Sequence, residues 1–374
     1  MIGTYRSYMR KRVCVSVYAY VYSCMYLFIL NSIFAYITMS SKYIEELIAD
    51  SGHFGCNDFA NLTPIIISNL NPPSSSPSMF YFGSIKYVHF VVKITIYEKS
   101  LLERIQKNKS TLITYDLNEK IIKRLKKDII EKNKSLGIIE CFYTKICNTS
   151  IKRLYETKHG EYLIGKIYNP HRSYHDKYSI IVMERCHETL QDFLLRVQNM
   201  PFMLKILKSM LFQITHTLYV LQTLYPKYSH RDLHQQNIMI KYDNLFIQDT
   251  ISITQYIKMN IEGMEYYIPY FGVIPKIIDF EHNYIPTIGI SDDEPLFKEL
   301  NKFPEITTDT SYLFEMIKQS IWDKMESGTK SLLTIIFGDI NMSYLDIIKK
   351  DIFDEYRQRV DMRNVMHELA NVDA

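Results

Sequence analysis

The chain has 374 residues, of which 47% are hydrophobic and 23% are charged, so it can bury a large core in more than one domain or lobe. Its formal net charge of +3 is too small to indicate nucleic acid as a partner, and the lysines of residues 99–134 alternate with acidic residues. The six cysteines form no C-x-x-C pair, which predicts free thiols in a reducing compartment rather than a zinc site.

The first segment of the chain is apolar. Residues 13–39 carry no charged side chain and follow a basic triplet at residues 10–12, so the run is long enough to span a bilayer. Alternatively, Met39 begins an ordinary soluble protein and the upstream run is an over-extended reading frame, or the run is a buried or partner-binding helix. We therefore separate an apolar segment, residues 1–39, from an N-terminal extension, residues 40–60.

Two elements follow the extension. Residues 88–94 are a β-branched run, which predicts a strand that carries Lys93. Residues 119–130 have apolar side chains at helical spacing, which predicts an amphipathic helix that begins at Glu119.

The middle of the chain contains a predicted strand and two predicted helices. Residues 178–186 are an apolar run that ends in a polar break, and a short helix is expected at residues 189–194. Residues 203–224 form a long core helix, as indicated by apolar residues at helical spacing: Leu204, Leu207, Leu211, Ile214, Leu218 and Leu221.

Two short blocks carry most of the chemical information. Residues 229–240 read S-H-R-D-L-H-Q-Q-N-I-M-I, and residues 275–281 read P-K-I-I-D-F-E. Each block adjoins an apolar run that predicts a strand. A further helix is predicted to begin at Asp309, which is either its N-cap or a residue with a separate role.

These blocks resemble the catalytic loop and the metal-binding D-F-G segment of protein kinases. The chain is most similar to haspin-type kinases and to the Ser/Thr kinases of large DNA viruses, which share H-R-D-L-H and a long insertion between the blocks. The resemblance covers residues 80–325, but only residues 228–240 and 275–281 are specific. It implies an α+β, two-lobed fold, with a small, mainly β N-lobe at residues 61–184 and a larger, mainly α C-lobe at residues 185–374.

The resemblance also implies a site for ATP and Mg²⁺. Asp232 would accept the proton of the attacking hydroxyl, and Asn237 and Asp279 would hold magnesium. Lys93 would contact the ATP phosphates. Asp309, where it is not simply an N-cap, would brace the backbone of the catalytic loop. His234 occupies the position at which most Ser/Thr kinases have a lysine that contacts the transferred phosphate.

The remaining site residues follow from the same resemblance. Glu119 would hold the phosphate-binding lysine, with Glu98 and Glu103 as rivals for that role. The segment from Glu184 to Cys186 would be the hinge whose backbone groups bind adenine.

Three features depart from ordinary protein kinases. No G-x-G-x-x-G precedes Lys93, and the small polar residues 69–78 either cover the nucleotide loosely or form a linker. Glu281 replaces the glycine of D-F-G. Arg231, which contacts a phosphate or an acidic group in protein kinases, would meet the acidic residues 292–294.

The expected function is that of a cytoplasmic serine/threonine protein kinase, in a host cytoplasm or a virion if the chain is viral. Its protein substrate cannot be read from the sequence, and a membrane is a partner only if residues 13–39 are an anchor. Two alternatives stay open. The I-D-F-E of residues 278–281 is similar to that of choline kinases and aminoglycoside phosphotransferases, although these usually lack an arginine before the catalytic aspartate. The absent glycine loop favours a catalytically inactive scaffold.

Overall fold

The buried apolar side chains form two clusters. The computed structural model describes residues 41–56, 62–70, 78–86, 88–99, 114–197, 201–243, 255–280, 283, 285, 308–339 and 341–371. The first of the two clusters, which we call the sheet cluster, is built on a five-stranded sheet. The other, the helical cluster, surrounds a long central helix and takes in most of the C-terminal half.

The five-stranded sheet has the order β1-β2-β3-β5-β4, and every neighbouring pair is antiparallel. Its strands are β1 (Ile66–Leu70), β2 (Ser78–Ile85), β3 (Val88–Glu98), β4 (Cys141–Cys147) and β5 (Tyr174–Glu184), and a 3₁₀ turn (Thr63–Ile65) precedes them. Because side chains alternate between the faces of a strand, Val92 and Ile94 enter the sheet cluster and Lys93 lies on the opposite face. The strand predicted at residues 88–94 is confirmed.

The N-terminal extension packs against this sheet. Helix α1 (Ser41–Asp50) buries Ile48 in the sheet cluster. Beyond it, Cys56 is disulfide-bonded to Cys147 at the end of β4, with a Cα–Cα distance of 5.2 Å. The expectation of free thiols is therefore wrong for this pair. The two cysteines are 91 positions apart, so no local spacing indicates their pairing.

Helix α2 (Thr114–Leu125) continues into a π-helical turn (Lys126–Ile130). The apolar residues of the predicted helix are buried as expected, and Ile121 and Ile129 enter the helical cluster. The helix begins at Thr114, upstream of the predicted start at Glu119. Two short helices, α3 (Ile151–Tyr155) and α4 (Gly160–Ile164), cover the sheet cluster.

The long helix predicted at residues 203–224 is confirmed as α6, which is buried along most of its length. The elements around it are β6 (Glu188–Thr189), α5 (Leu190–Arg196), α6 (Pro201–Leu224), β7 (Ile238–Tyr242), β8 (Tyr256–Ile261), β9 (Met264–Pro269), β10 (Val273–Ile277), α7 (Asp309–Ser320), α8 (Ser327–Phe337), α9 (Tyr344–Ile348) and β11 (Val365–Glu368), with 3₁₀ turns at Trp322–Lys324, Asp351–Arg357 and Met362–Asn364.

Two small sheets complete this half of the molecule. One has the order β10-β7-β6, and the other has the order β11-β8-β9, in which β11 and β8 are parallel. The fold is thus mixed α/β with mostly antiparallel strands, while the division into two lobes at residue 184 stays a prediction. No helix in the described part of the chain is long and apolar enough to cross a membrane, and residues 13–39 lie outside that part.

Candidate active site

The two sequence blocks meet through a pair of strands. Strand β7 begins within the first block, and its antiparallel partner β10 ends within the second, with Ile238 opposite Ile277. The ladder continues one step further, where the Ile278 N–H donates to the carbonyl oxygen of Asn237 at 3.0 Å. This pairing places Asp279 beside the loop that contains Asp232.

Asn237 orients the carboxylate of Asp232. Its side-chain nitrogen donates to the carbonyl oxygen of Asp232 at 2.8 Å and to Oδ2 of the same residue at 3.1 Å. Its backbone N–H donates to the His234 carbonyl at 2.9 Å, which closes the loop. The Asp232 side chain stays 34% exposed, so its carboxylate is accessible to a substrate.

His234 is held next to the same carboxylate. Its Nδ1 accepts a hydrogen bond from the backbone N–H of Gln236 at 3.2 Å, and its Nε2 lies 3.8 Å from Oδ2 of Asp232. A backbone N–H can only donate, so the neutral ring carries its proton on Nε2. His234 therefore presents a donor towards Asp232.

Lys93 joins the five-stranded sheet to the second block. Its Nζ lies 2.9 Å from Oδ1 of Asp279, and its side chain is only 8% exposed. The Phe80 ring lies on the same side, 5.7 Å from the Lys93 nitrogen. Asp279 adopts a left-handed backbone conformation with φ of 62°. Such strained positions are common at functional sites.

Asp309 holds the backbone of the loop that contains Asp232. Both of its carboxylate oxygens accept the His230 N–H at 3.0 Å, and Oδ1 also accepts the Arg231 N–H and the Ser229 hydroxyl at 3.2 Å. The N-cap of helix α7 is Thr308, which accepts the Ser311 N–H. Of the two interpretations of Asp309, the structure therefore supports a brace of the loop backbone rather than an N-cap.

Two further groups fix this arrangement. The Tyr344 hydroxyl donates to Oδ2 of Asp309 at 3.2 Å, and burial together with the charge of Asp309 raises the pKa of Tyr344 well above its usual value. The His230 ring is buried and donates from Nε2 to the Ile278 carbonyl at 2.9 Å. Burial lowers the pKa of His230, so this side chain is a structural donor between the two blocks.

Glu119 lies on α2, and its carboxylate pairs with Lys123, one turn further along the same helix. Among the described residues, no ion pair joins Lys93 to Glu119, and Lys93 pairs with Asp279. The rival Glu103 lies outside the described residues, as do Glu281 and the acidic residues 292–294 expected to meet Arg231. The roles of Glu119 and Arg231 stay predictions.

The predicted hinge begins at the last residue of β5. Glu184 is buried and is held by two lysines, Lys241 and Lys276, which sequence reasoning missed. The signal was present, since each lysine interrupts an otherwise apolar run, in β7 and in β10. Cys186 is a free thiol, and burial raises its pKa to about 12. The Cys186 thiol is therefore protonated and unreactive at neutral pH.

The small polar segment upstream of Lys93 lies between two strands of the five-stranded sheet in chain order. Residues 71–77 connect β1 to its antiparallel neighbour β2, and β2 pairs with β3. The segment itself lies outside the described residues, so its part in covering a nucleotide stays a prediction.

No protein-family model matches the sequence, and no curated protein matches it. Among solved structures, the chain is similar to "WaaP in complex with acyl carrier protein" at 10% sequence identity and a TM-score of 0.33, over 78% of this chain and 85% of that chain. A likeness of this size says nothing about the chemistry of this chain.

Proposed function

We propose that this chain is an ATP-dependent phosphotransferase of the protein-kinase-like fold that phosphorylates serine or threonine hydroxyls of a protein. One observation carries the proposal: Lys93 pairs with Asp279, which adjoins the loop where Asn237 orients Asp232. Phosphoryl transfer requires mainly positioning and charge stabilisation from the protein. An accessible carboxylate, a buried lysine and two oxygen ligands can supply both.

Asp232 is the proton acceptor in this proposal. A general base must lie within hydrogen-bond reach of the proton that it removes, and Asn237 holds one oxygen of the Asp232 carboxylate in place. The Nε2 atom of His234 lies 3.8 Å from the same carboxylate. The attacking hydroxyl would approach the exposed part of the carboxylate.

The donor set fits Mg²⁺. The nitrogen of the Asn237 amide donates to Asp232, so its oxygen is the end that can ligate a cation, and Asp279 adds a carboxylate. Within the described residues, no group of three or more His, Cys, Asp or Glu side chains is placed to hold a metal. Magnesium commonly takes one or two protein ligands together with substrate phosphates. When bound, it would offset phosphate charge, and Lys93 would contact the phosphates.

A small-molecule kinase is the second candidate, because residues 278–281 read I-D-F-E, as in choline kinases and aminoglycoside phosphotransferases. Arg231 supports the protein substrate, since those families usually lack an arginine before the catalytic aspartate. The proposed location is the cytoplasm, where ATP is supplied. A membrane partner is proposed only if residues 13–39 form an anchor.

The test is transfer of the ATP γ-phosphate by the full chain to a protein mixture and, separately, to choline and aminoglycosides. We expect label on protein hydroxyls that disappears in Asp232→Asn. The matched control is Asp354→Asn, which removes an exposed carboxylate paired with Arg357 and should leave transfer unchanged. Label on a small molecule would select the second candidate. Bound ATP without transfer to any acceptor would indicate an inactive scaffold and contradict both.

A further inference from the structure

A buried charge cluster lies where the five-stranded sheet meets strands β7 and β10. Glu184 is its centre, with a side chain 4% exposed. The carboxylate accepts from Lys276 Nζ at 2.8 Å, from Lys241 Nζ at 2.5 Å and from the Glu140 N–H at 2.8 Å. We call these three side chains, Glu184, Lys241 and Lys276, the hinge junction.

The junction connects the segments that the proposed reaction must align. Glu184 is the last residue of β5, where the predicted adenine-binding backbone begins. Lys241 lies on β7, the strand that follows Asn237, and Lys276 lies on β10, the strand that leads to Asp279. One carboxylate therefore ties the hinge to the two strands that adjoin the proposed metal ligands.

The Glu184 carboxylate does not take up a proton at neutral pH. Burial would raise the pKa of Glu184, but Lys276 and Lys241 outweigh burial and lower the pKa to about 2. Glu184 in turn raises the pKa of Lys241 above its ordinary value. Glu184 and Lys241 therefore stay charged at neutral pH, and two lysine side chains contact the carboxylate.

Stability alone does not account for such a cluster. Buried ion pairs are often matched or exceeded in stability by apolar side chains of similar size, because desolvation offsets much of the Coulombic gain. A charged cluster does impose a fixed geometry, because both lysines must reach one carboxylate. Lys276 is further constrained because it also donates to the Ile138 carbonyl at 3.2 Å.

We infer that Glu184 is a positioning residue that sets the distance between the base-binding hinge and the metal-binding residues Asn237 and Asp279. The inference rests on the proposed function, since it assigns a role within that site. Its consequence is specific. Breaking the junction should lower the rate of phosphate transfer more than the apparent affinity for ATP, because the hinge backbone remains while its alignment with the metal is lost.

The test compares a single with a double variant. Glu184→Gln leaves two lysines around a neutral group, one of them, Lys276, only 10% exposed, and should lower both the Tm and kcat. Glu184→Gln combined with Lys276→Met removes one charge of each sign and leaves Lys241, which is 38% exposed. The double variant should recover the Tm of the wild type, while kcat stays about 10- to 100-fold lower and KM for ATP changes about threefold or less.

Lys258→Met is the matched control. It breaks another three-group network, in which Lys258 lies 3.1 Å from Glu265 and 2.9 Å from Glu368, away from the hinge junction. It should leave kcat and KM unchanged. If the double variant recovers kcat together with the Tm, the junction only neutralises charge and the inference is wrong.

Hydrogen exchange separates this inference from the proposed function. In the double variant, the backbone amides of residues 238–242, 273, 274, 276 and 277 should exchange faster than in the wild type at equal Tm. The same amides of Lys258→Met should exchange as in the wild type. This measurement requires no enzymatic activity. A wild type that transfers no phosphate would defeat the proposed function, whereas unchanged exchange in both strands would defeat the positioning role by itself.

Discussion

The loop that carries Asp232 and the sheet that carries Lys93 are held in different ways. In the loop, Asn237 bonds to Asp232 across 5 positions, and Asp309 holds the backbone of the intervening turn. On the sheet side, Lys93 reaches Asp279 across 186 positions, and Glu119 pairs with a neighbour on its own helix. A short motif thus orients its own carboxylate, while the brace of its backbone and the contacts of the facing side come from residues that only the folded chain brings together.

The largest expected effect comes from removing the brace of the loop. Asp309→Ala leaves the backbone N–H groups of His230 and Arg231 without their acceptor in a buried place. An unsatisfied buried donor costs about 1–3 kcal/mol, so we expect the free energy of unfolding to fall by about 3–5 kcal/mol. Phosphate transfer should be lost as well. Urea unfolding measures the first and the transfer assay the second.

Thr308→Ala is the matched control for that variant. It removes only the N-cap of α7, which should cost about 1 kcal/mol and leave the loop in place. Equal losses in the two variants would mean that Asp309 acts as part of the helix terminus, and the contrast between loop and sheet would lose its main support.

On the sheet side, the corresponding test is reduction of the disulfide. The bond between Cys56 and Cys147 closes a long loop, with the cysteines 91 positions apart, so its reduction should lower stability by about 3 kcal/mol. Reductant should lower the Tm of the wild type and of Cys141→Ala, which retains the bond. It should have no effect on Cys147→Ser. A wild type indifferent to reductant would show that the N-terminal extension is held by packing alone.

Acid should weaken the helix that supports the loop. His216 of α6 is 2% exposed, and burial lowers its pKa to about 4. The unfolded chain binds a proton near the ordinary value of about 6.5, so this stability is complete above that pH and is lost as the pH falls towards 4. At pH 5 the loss should be about 2 kcal/mol.

Urea unfolding at pH 7 and pH 5 measures this loss. His216→Leu should lose less stability than the wild type between the two values, by the amount that the histidine contributes. His171→Leu, at an exposed position, is the control and should follow the wild type. If His216→Leu and the wild type respond equally to acid, the protons are taken up elsewhere.

Elements with a local hydrophobic pattern could be predicted from the sequence, and contacts between distant residues could not. The strand at residues 88–94 and the long helix at residues 203–224 were predictable, because each follows one hydrophobic period over many residues. The Cys56–Cys147 bond was not, and neither was the pairing of Glu184 with Lys241 and Lys276, because these partners are far apart in sequence and are brought together by tertiary packing. The interrupted apolar runs of β7 and β10 mark the two lysines but not their partner. The predicted Glu119 contact came from the resemblance alone.

Substitution of Glu119 should have the smallest effect, and it tests whether this carboxylate serves Lys93 or only Lys123. Its pair with Lys123 lies on the surface, with the lysine side chain 67% exposed, and such pairs contribute about 0–1 kcal/mol. In this geometry Glu119→Gln should change phosphate transfer by about twofold or less, as should Lys123→Met. Lys93→Met removes the cation that pairs with Asp279 and should lower transfer about 100-fold.

The resemblance to protein kinases predicts a different pattern, in which Glu119→Gln is as damaging as Lys93→Met while Lys123→Met is harmless. That result would mean that α2 moves when nucleotide binds, so that Glu119 exchanges Lys123 for Lys93 and Asp279 is released towards the metal. The sheet side would then be a mobile half of the site, completed by its substrate. A small effect of Glu119→Gln would instead mean that the pair with Asp279 and the Phe80 ring hold Lys93 without a contribution from Glu119.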